Sequence, residues 1–119
     1  MDIARAYRTG GGEFWVATED GQLVGTIGLL VKENGCGVLK KFFVRQSCRG
    51  QGVGSALYRE LLAYARRSEI RHLILDTPSV AAAARRFYVT VGFRRVRAEE
   101  LPVVYTYPDR NSILYRLDL

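Results

Sequence analysis

The chain has few of the residues from which metal centres and nucleophilic triads are built. Its 119 residues include one histidine, His72, and two cysteines, Cys36 and Cys48, which have no CxxC or Cys/His spacing. A structural zinc site takes about four such ligands, so no metal is expected. A Ser–His–Asp or Cys–His set has no convincing candidate either. The two cysteines are expected to be reduced thiols.

Long apolar runs and basic clusters are also missing. No stretch reaches the roughly 20 apolar residues that a membrane span requires, and no signal-peptide pattern is present, so we expect a cytoplasmic protein without a membrane partner. Eighteen Lys and Arg against twelve Asp and Glu give a formal net charge of +6. The basic residues are scattered, which argues against a nucleic-acid partner. A positive field of this kind suits a polyanionic cofactor.

What the chain does contain is a glycine-rich turn between a strand and a helix, within Val38 to Leu62. Aromatic and β-branched residues precede the turn, and apolar residues recur at helical spacing after Ala56. The first turn of a helix has unpaired N–H groups and a partial positive charge. Glycines let an anion approach such a backbone closely. The stretch therefore predicts a cradle for a phosphate or pyrophosphate.

Two familiar phosphate motifs do not fit this turn. The P-loop requires a Lys followed by Ser or Thr after its last glycine, whereas Gly54 is followed by Ser55 and Ala56. The dinucleotide fingerprint requires GxGxxG, and the spacing here is GxGxG. The pattern that fits is Gln/Arg-x-x-Gly-x-Gly/Ala, with Arg49, Gly52 and Gly54 in the fixed places. Between a strand and a helix, this run resembles the acetyl-CoA motif of the GNAT N-acetyltransferase superfamily.

The order of predicted elements matches the resemblance over nearly the whole chain. The patterns predict a single domain over residues 1–119, of the α/β (α+β) class, built on one mixed sheet. After a helix-compatible piece at 3–7, we expect a three-strand antiparallel meander, then helix, strand, helix and two strands. GNAT proteins usually begin with a strand and two helices, so the resemblance implies that the first strand and most of those helices are lacking. The predicted strands are 13–18, 22–32, 36–45, 71–76, 93–98 and 112–119, and the predicted helices are 52–68 and 81–91.

The resemblance also implies a function and a set of site residues. It implies transfer of an acetyl group from acetyl-CoA to a primary amine by direct attack in a ternary complex. Backbone amides of the glycine-rich turn would bind the pyrophosphate, and two strand residues would offer main-chain groups to the pantetheine arm. That arm would lie in a V-shaped slot between the strand and its neighbour at 71–76. The implied cofactor-binding residues are Phe43, Val44, Arg49, Gly50, Gln51, Gly52, Val53, Gly54 and Ser55.

A second match runs from Arg85 to Phe93 and resembles the family's LYxxxGF signature. Tyr88 falls where many members have a tyrosine that donates a proton to the CoA sulfur, a suitable task for a phenol. The alternative is that Tyr88 only packs, with its hydroxyl in water. Ala81 stands where many relatives have an asparagine that contacts the CoA arm.

The general base and the acceptor stay open at this point. The candidate carboxylates are Glu33, Asp76, Glu99 and Glu100, and a water relay is the default. The sequence predicts an aromatic loop at residues 99–110, which contains Tyr105 and Tyr107. This loop either lines the site or contacts a second subunit in a homodimer. The acceptor would be a small-molecule or peptide amine. The alternative function is a non-catalytic CoA-binding or assembly module of the same fold.

Overall fold

The computed structural model describes residues 1–6, 12–103 and 112–119. This part of the chain forms one mixed sheet of seven strands, in the order β1-β2-β3-β4-β5-β7-β6, with two helices. Neither of these two helices is long and apolar enough to cross a membrane. The strands are β1 (Asp2–Ala6), β2 (Gly12–Glu19), β3 (Gln22–Lys32), β4 (Cys36–Val44), β5 (His72–Pro78), β6 (Arg94–Val96) and β7 (Ser112–Asp118), and the helices are α1 (Val53–Arg67) and α2 (Ala82–Thr90).

Two tight turns shape the predicted meander of β2, β3 and β4. Asp20 and Gly21 have φ of 52° and 77°, and Asn34 and Gly35 have φ of 60° and 66°. Positive φ at both central residues is the condition for a type I′ turn, which matches the twist of a hairpin. Both hairpins predicted from Asp-Gly and Asn-Gly are therefore confirmed.

The first element differs from the prediction. The sequence predicts a helix-compatible piece at 3–7, but Asp2–Ala6 form strand β1 instead. This strand pairs antiparallel with β2 from Asp2↔Thr18 to Ala6↔Phe14. Ile3 packs against the core, so pairing and burial override the helix propensity of the alanines. The expectation that the family's first strand is lacking is thus wrong. Residues 7–11, between β1 and β2, lie outside the described residues.

The sheet has an apolar cluster on each face. The larger cluster lies under both helices, where Leu57 and Leu61 of α1 are fully buried against β-strand residues such as Ile27. The smaller one, on the opposite face, consists of Cys36, Val38, Ile74 and Val103, with Leu30 and Leu101 packed at its margin. Val103 belongs to the segment after β6, which covers that face near the paired ends of β4 and β5. The predicted loop residues Tyr105 and Tyr107 lie outside the described residues.

Candidate functional site

Strands β4 and β5 are the one parallel pair in the described sheet, and they separate after three residues. Pairing covers Cys36↔His72, Gly37↔Leu73 and Val38↔Ile74 and then stops, although both strands continue. The cause lies in β4, where Lys41 has φ of 53° and the register with β3 shifts between Thr26 and Gly28. Such a bulge bends its strand, and a hydrogen bond of 2.7 Å from Thr26 Oγ1 to the Lys41 carbonyl holds it. The two strands therefore diverge beyond Val38 and Ile74, where the resemblance implies a V-shaped slot.

A sharp turn connects β4 to α1. After a 3₁₀ turn at Gln46–Cys48, Gly50 and Gly52 have φ of 79° and 85°. A Cβ atom at either glycine would have no atom within 4 Å. The glycines are therefore needed for the left-handed backbone, and the space in front of them is open.

The backbone of this turn presents unpaired donors. Gly52 is the N-cap of α1 and supplies no side-chain cap. The first bond of the helix runs from the Ala56 N–H to the Gly52 carbonyl, 3.0 Å. The N–H groups of Val53, Gly54 and Ser55 thus have no acceptor within the helix, and no acidic side chain occupies its first turn. This helix end can receive an anion.

Small residues let α1 begin directly against the sheet. A Cβ atom at Gly25 of β3 would lie 2.9 Å from the Phe43 carbonyl oxygen and 2.9 Å from Leu57 Cδ1. One at Gly54 would lie 3.2 Å from Phe42 Cζ. These close approaches fix the start of α1 relative to the end of β4, so the open N–H groups have a defined position.

A cleft of about 750 Å³ lies in front of this turn, between the start of α1, the end of β4 and the start of α2. Its walls combine backbone of the glycine-rich turn with small and aromatic side chains. The lining residues are Phe42, Val44, Cys48, Arg49, Gly50, Gly52, Val53, Gly54, Ser55, Val80, Ala81, Ala82, Ala83, Ala84 and Phe87.

Most of the sequence-predicted cofactor residues line this cleft, but Phe43 and Gln51 do not. Phe43 is half exposed and pairs with Thr26 of β3. Gln51 is exposed on the turn. Arg49 is exposed, and its Nε donates to the Val44 carbonyl at 3.4 Å, which ties the turn to the end of β4. The roles given to these residues stay predictions.

Tyr88 is buried in an aromatic cluster behind the cleft. Its side chain is 5 % exposed, and its ring centroid lies 6.2 Å from that of Phe42 and 6.0 Å from that of Tyr115. Tyr88 does not line the cleft itself, but its ring neighbour Phe42 does. Burial, together with the carboxylate of Asp76, raises the pKa of Tyr88 to about 12. The hydroxyl is therefore a donor at every ordinary pH, and its role as an acid stays a prediction.

Sequence reasoning missed the wall that α2 contributes. Ala81 to Ala84 were interpreted as a helix stretch, yet all four line the cleft, together with Val80 and Phe87. Their signal in the sequence was the run of small side chains at a helix start. The alanine at position 81 leaves space in the cleft, whereas an asparagine there would offer a polar contact.

None of the four candidate general bases lines the cleft. Glu33 and Glu99 line a separate depression with Asn34 and Val103. The Glu100 carboxylate accepts the Arg97 N–H at 3.0 Å, and this bond with the nearby arginines lowers its pKa. Asp76 lies on β5 beyond the point where β4 and β5 separate. No group of three or more metal-binding side chains occurs within residues 1–6, 12–103 and 112–119.

Comparison with known proteins agrees with this geometry. The model of the acetyltransferase (GNAT) family matches residues 2–93. A mouse protein named probable N-acetyltransferase family 8 member 5 is 36 % identical over 99 residues, which are 79 % of this chain and 44 % of that protein. A Xenopus tropicalis relative, named probable N-acetyltransferase camello, is 29 % identical over 123 residues. The chain spans 56 % of that protein, so it covers about half the length of these relatives.

Two solved structures extend the comparison to the fold. An acetyltransferase from Streptococcus agalactiae superposes with a TM-score of 0.85 and is 38 % identical, over 92 % of this chain and 68 % of that one. A GNAT family acetyltransferase from Elizabethkingia anophelis, solved with acetyl-CoA bound, has a TM-score of 0.77 over 99 % of this chain and 97 % of that one. It is 15 % identical and shows the fold alone. With the family model matching most of its length, this chain belongs to the GNAT acetyltransferase family.

Proposed function

We propose that the chain transfers an acetyl group from acetyl-CoA to a primary amine by direct attack in a ternary complex. The observation that carries the proposal is the open helix end at Gly52, which faces a cleft bordered by the end of β4 and the start of α2. An anion there meets the N–H groups of Val53, Gly54 and Ser55 and the positive end of α1. The family membership, and the acetyl-CoA bound to the Elizabethkingia anophelis neighbour, support the choice of that co-substrate.

The chain's own residues would work chiefly by holding and orienting. The turn from Arg49 to Ser55 binds the pyrophosphate, and the main chain of Phe43 and Val44 guides the pantetheine arm into the slot. As the amine attacks, the C–N bond forms and the C–S bond breaks. Tyr88 gives a proton to the departing sulfur, and a proton lost by the amine replaces it. A phenol with a pKa of about 12 stays protonated until that step.

The first test is binding, with a matched pair of glycine variants. Gly52→Ala and Gly21→Ala both place a side chain at a left-handed φ, 85° and 77°, with no atom within 4 Å. Each should lose about 1 kcal/mol of stability. Titration calorimetry with acetyl-CoA should show at least about tenfold weaker binding for Gly52→Ala only, because its Cβ stands in the cradle. Equal affinities for the two variants, or no heat with the wild type, would contradict the cradle.

The second test is turnover, measured as thiol release with a panel of amines. Release that depends on an amine supports the transferase. Acetyl-CoA binding without release on any amine would instead support the alternative, a CoA-binding or assembly module. The specific observation in favour of that module is that none of the candidate general bases lines the cleft.

A further inference from the structure

Two opposite charges flank the slot where β4 and β5 diverge. The last paired residues are Val38 and Ile74. Two positions further along each strand lie Lys40, which is exposed, and Asp76, which is partly buried. Because side chains alternate along a strand, Lys40 leaves the sheet on the same face as Val38, and Asp76 on the same face as Ile74.

That face is the one opposite the helices. Val38 and Ile74 belong to the smaller apolar cluster, with Cys36 and Val103, and not to the core under α1 and α2. The cleft and its glycine-rich turn open on the helix face. A ligand arm that enters the slot from the cleft would therefore present its far end towards Lys40 and Asp76.

Asp76 is also close to the aromatic cluster that contains Tyr88. Tyr88 projects from α2 on the helix face, yet the Asp76 carboxylate contributes to the raised pKa of its hydroxyl. Lys40 and Asp76 each take part in an interaction within the protein, so a bound acceptor would exchange with those contacts.

We infer that Asp76 and Lys40 hold the acceptor, and that the acceptor is a small zwitterion of the amino-acid type, with its ammonium on Asp76 and its anionic group on Lys40. This inference rests on the proposed acetyl transfer. Paired parallel strands are about 4.8 Å apart, and this distance grows where β4 and β5 diverge. Opposite charges on the two strands therefore suit a ligand whose own two charges are a few ångströms apart. Complementary charges of this kind set specificity and orientation.

The test compares phenylalanine with phenethylamine, which differ only in the carboxylate. The wild type should acetylate phenylalanine with the higher kcat/KM. Lys40→Gln should lower the phenylalanine to phenethylamine ratio of kcat/KM by about tenfold, mainly through KM, because it removes the partner of the carboxylate. Lys32→Gln, an equal charge change at the far end of β3, is the control and should keep the ratio. Asp76→Asn should raise KM for both amines.

Three results would overturn the inference. One is a wild type that does not prefer the amino acid, and another is a ratio that Lys40→Gln leaves unchanged. Either of these, with amine-dependent turnover intact, leaves the proposed acetyl transfer standing. The third is an absence of turnover with any amine, which removes the transferase itself. Circular dichroism and a thermal melt of each variant confirm that it is folded, and the exposed Lys40 keeps the test decisive if Asp76→Asn does not fold.

Discussion

Strands β4 and β5 behave differently along the two halves of their length. In the paired half, Cys36, Val38, Leu73 and Ile74 are completely buried. In the divergent half, β4 stays with β3 while β5 stays with β7. There Lys40 is exposed and Phe42 and Asp76 are partly exposed, whereas Leu75 and Thr77 stay buried. One half therefore closes the core, and the other leaves an opening that a ligand can enter.

The difference teaches how a stable sheet can contain an opening. Backbone groups on the inner edges of the divergent half lose their sheet partners, which is costly when such groups are buried. The cleft and the slot keep this edge accessible, so water or a ligand can satisfy it. Substitutions in the divergent half should then change binding or catalysis, and those in the paired half should change stability.

The largest effect is expected for Tyr88→Phe on α2, whose ring lies beside Phe42 of the divergent half. Loss of a positioned acid should lower kcat by about 100-fold, with little change in acetyl-CoA affinity. The raised pKa also means that the Tyr88 hydroxyl of the wild type stays protonated up to about pH 10. Deprotonation of Tyr88 should therefore not reduce the wild-type rate below that pH. Steady-state kinetics across pH and titration calorimetry measure both quantities.

A second buried tyrosine controls for the loss of a hydroxyl. Tyr58 on α1 packs on Phe87 with ring centroids 5.7 Å apart, and its pKa is also raised by burial. Its hydroxyl has no hydrogen-bond partner among the described residues. Tyr58→Phe should therefore keep kcat and leave stability equal or higher. A Tyr88→Phe enzyme with the kcat of Tyr58→Phe would show that Tyr88 only packs.

The next effect is a loss of stability in the paired half without a loss of binding. A Cβ atom at Gly37 would lie 2.7 Å from Leu29 Cδ1 and 3.2 Å from Leu73 Cδ2. Gly37→Ala should lower the free energy of unfolding by about 1–3 kcal/mol through overpacking, and acetyl-CoA affinity should not change. Urea denaturation and calorimetry measure the two effects.

Gly54→Ala is the counterpart at the start of α1, beside Phe42 of the divergent half. Position 54 is helical, so alanine gains about 1 kcal/mol of helix propensity, which offsets the contact of 3.2 Å with Phe42 Cζ. Its stability should stay close to that of the wild type, while its Cβ narrows the cradle and weakens binding. If Gly37→Ala weakened binding as much as Gly54→Ala, the two halves would not be independent.

The paired half and the hairpins could be predicted from the sequence because their signals are local. Asp20-Gly21 and Asn34-Gly35 specify turns, and alternation specifies β7 except at Leu114, which faces the other side and pairs with Val96. The opening depends on a bulge at Lys41, whose φ of 53° has no sequence signal, since lysine rarely adopts it. The resemblance implied the slot, and no local pattern did.

Other features could not be predicted because they depend on distant residues. β1 forms because β2 offers an edge and the core accepts Ile3, neither of which appears in the residues 2–6 themselves. The glycine-rich turn was predicted at the correct place, and the cleft wall formed by Ala81 to Ala84 was not. Alanine in a helix has the same pattern whether it faces solvent, a core or a cleft.

The smallest effect is expected at the end of the paired half, where His72 meets β7. Asp118 Oδ1 accepts from Arg116 Nε at 2.7 Å and lies 2.8 Å from His72 Nδ1. These bonds, first that of Arg116 and then that of His72, lower the pKa of Asp118. A lowered carboxyl pKa adds stability above its usual value of 3.8, and that stability is lost as the pH falls through the folded-state pKa.

Asp118→Asn should therefore lower the free energy of unfolding at neutral pH by less than about 1 kcal/mol, because the carboxylate is half exposed and screened by solvent. Denaturation at neutral pH and below pH 3.8 should show the gap between wild type and variant closing in acid. Asp2→Asn, on the exposed start of β1, should show no comparable gap. A gap that persists in acid would mean that Asp118 acts through packing and not through its charge, and the paired half would then owe nothing to this ion pair.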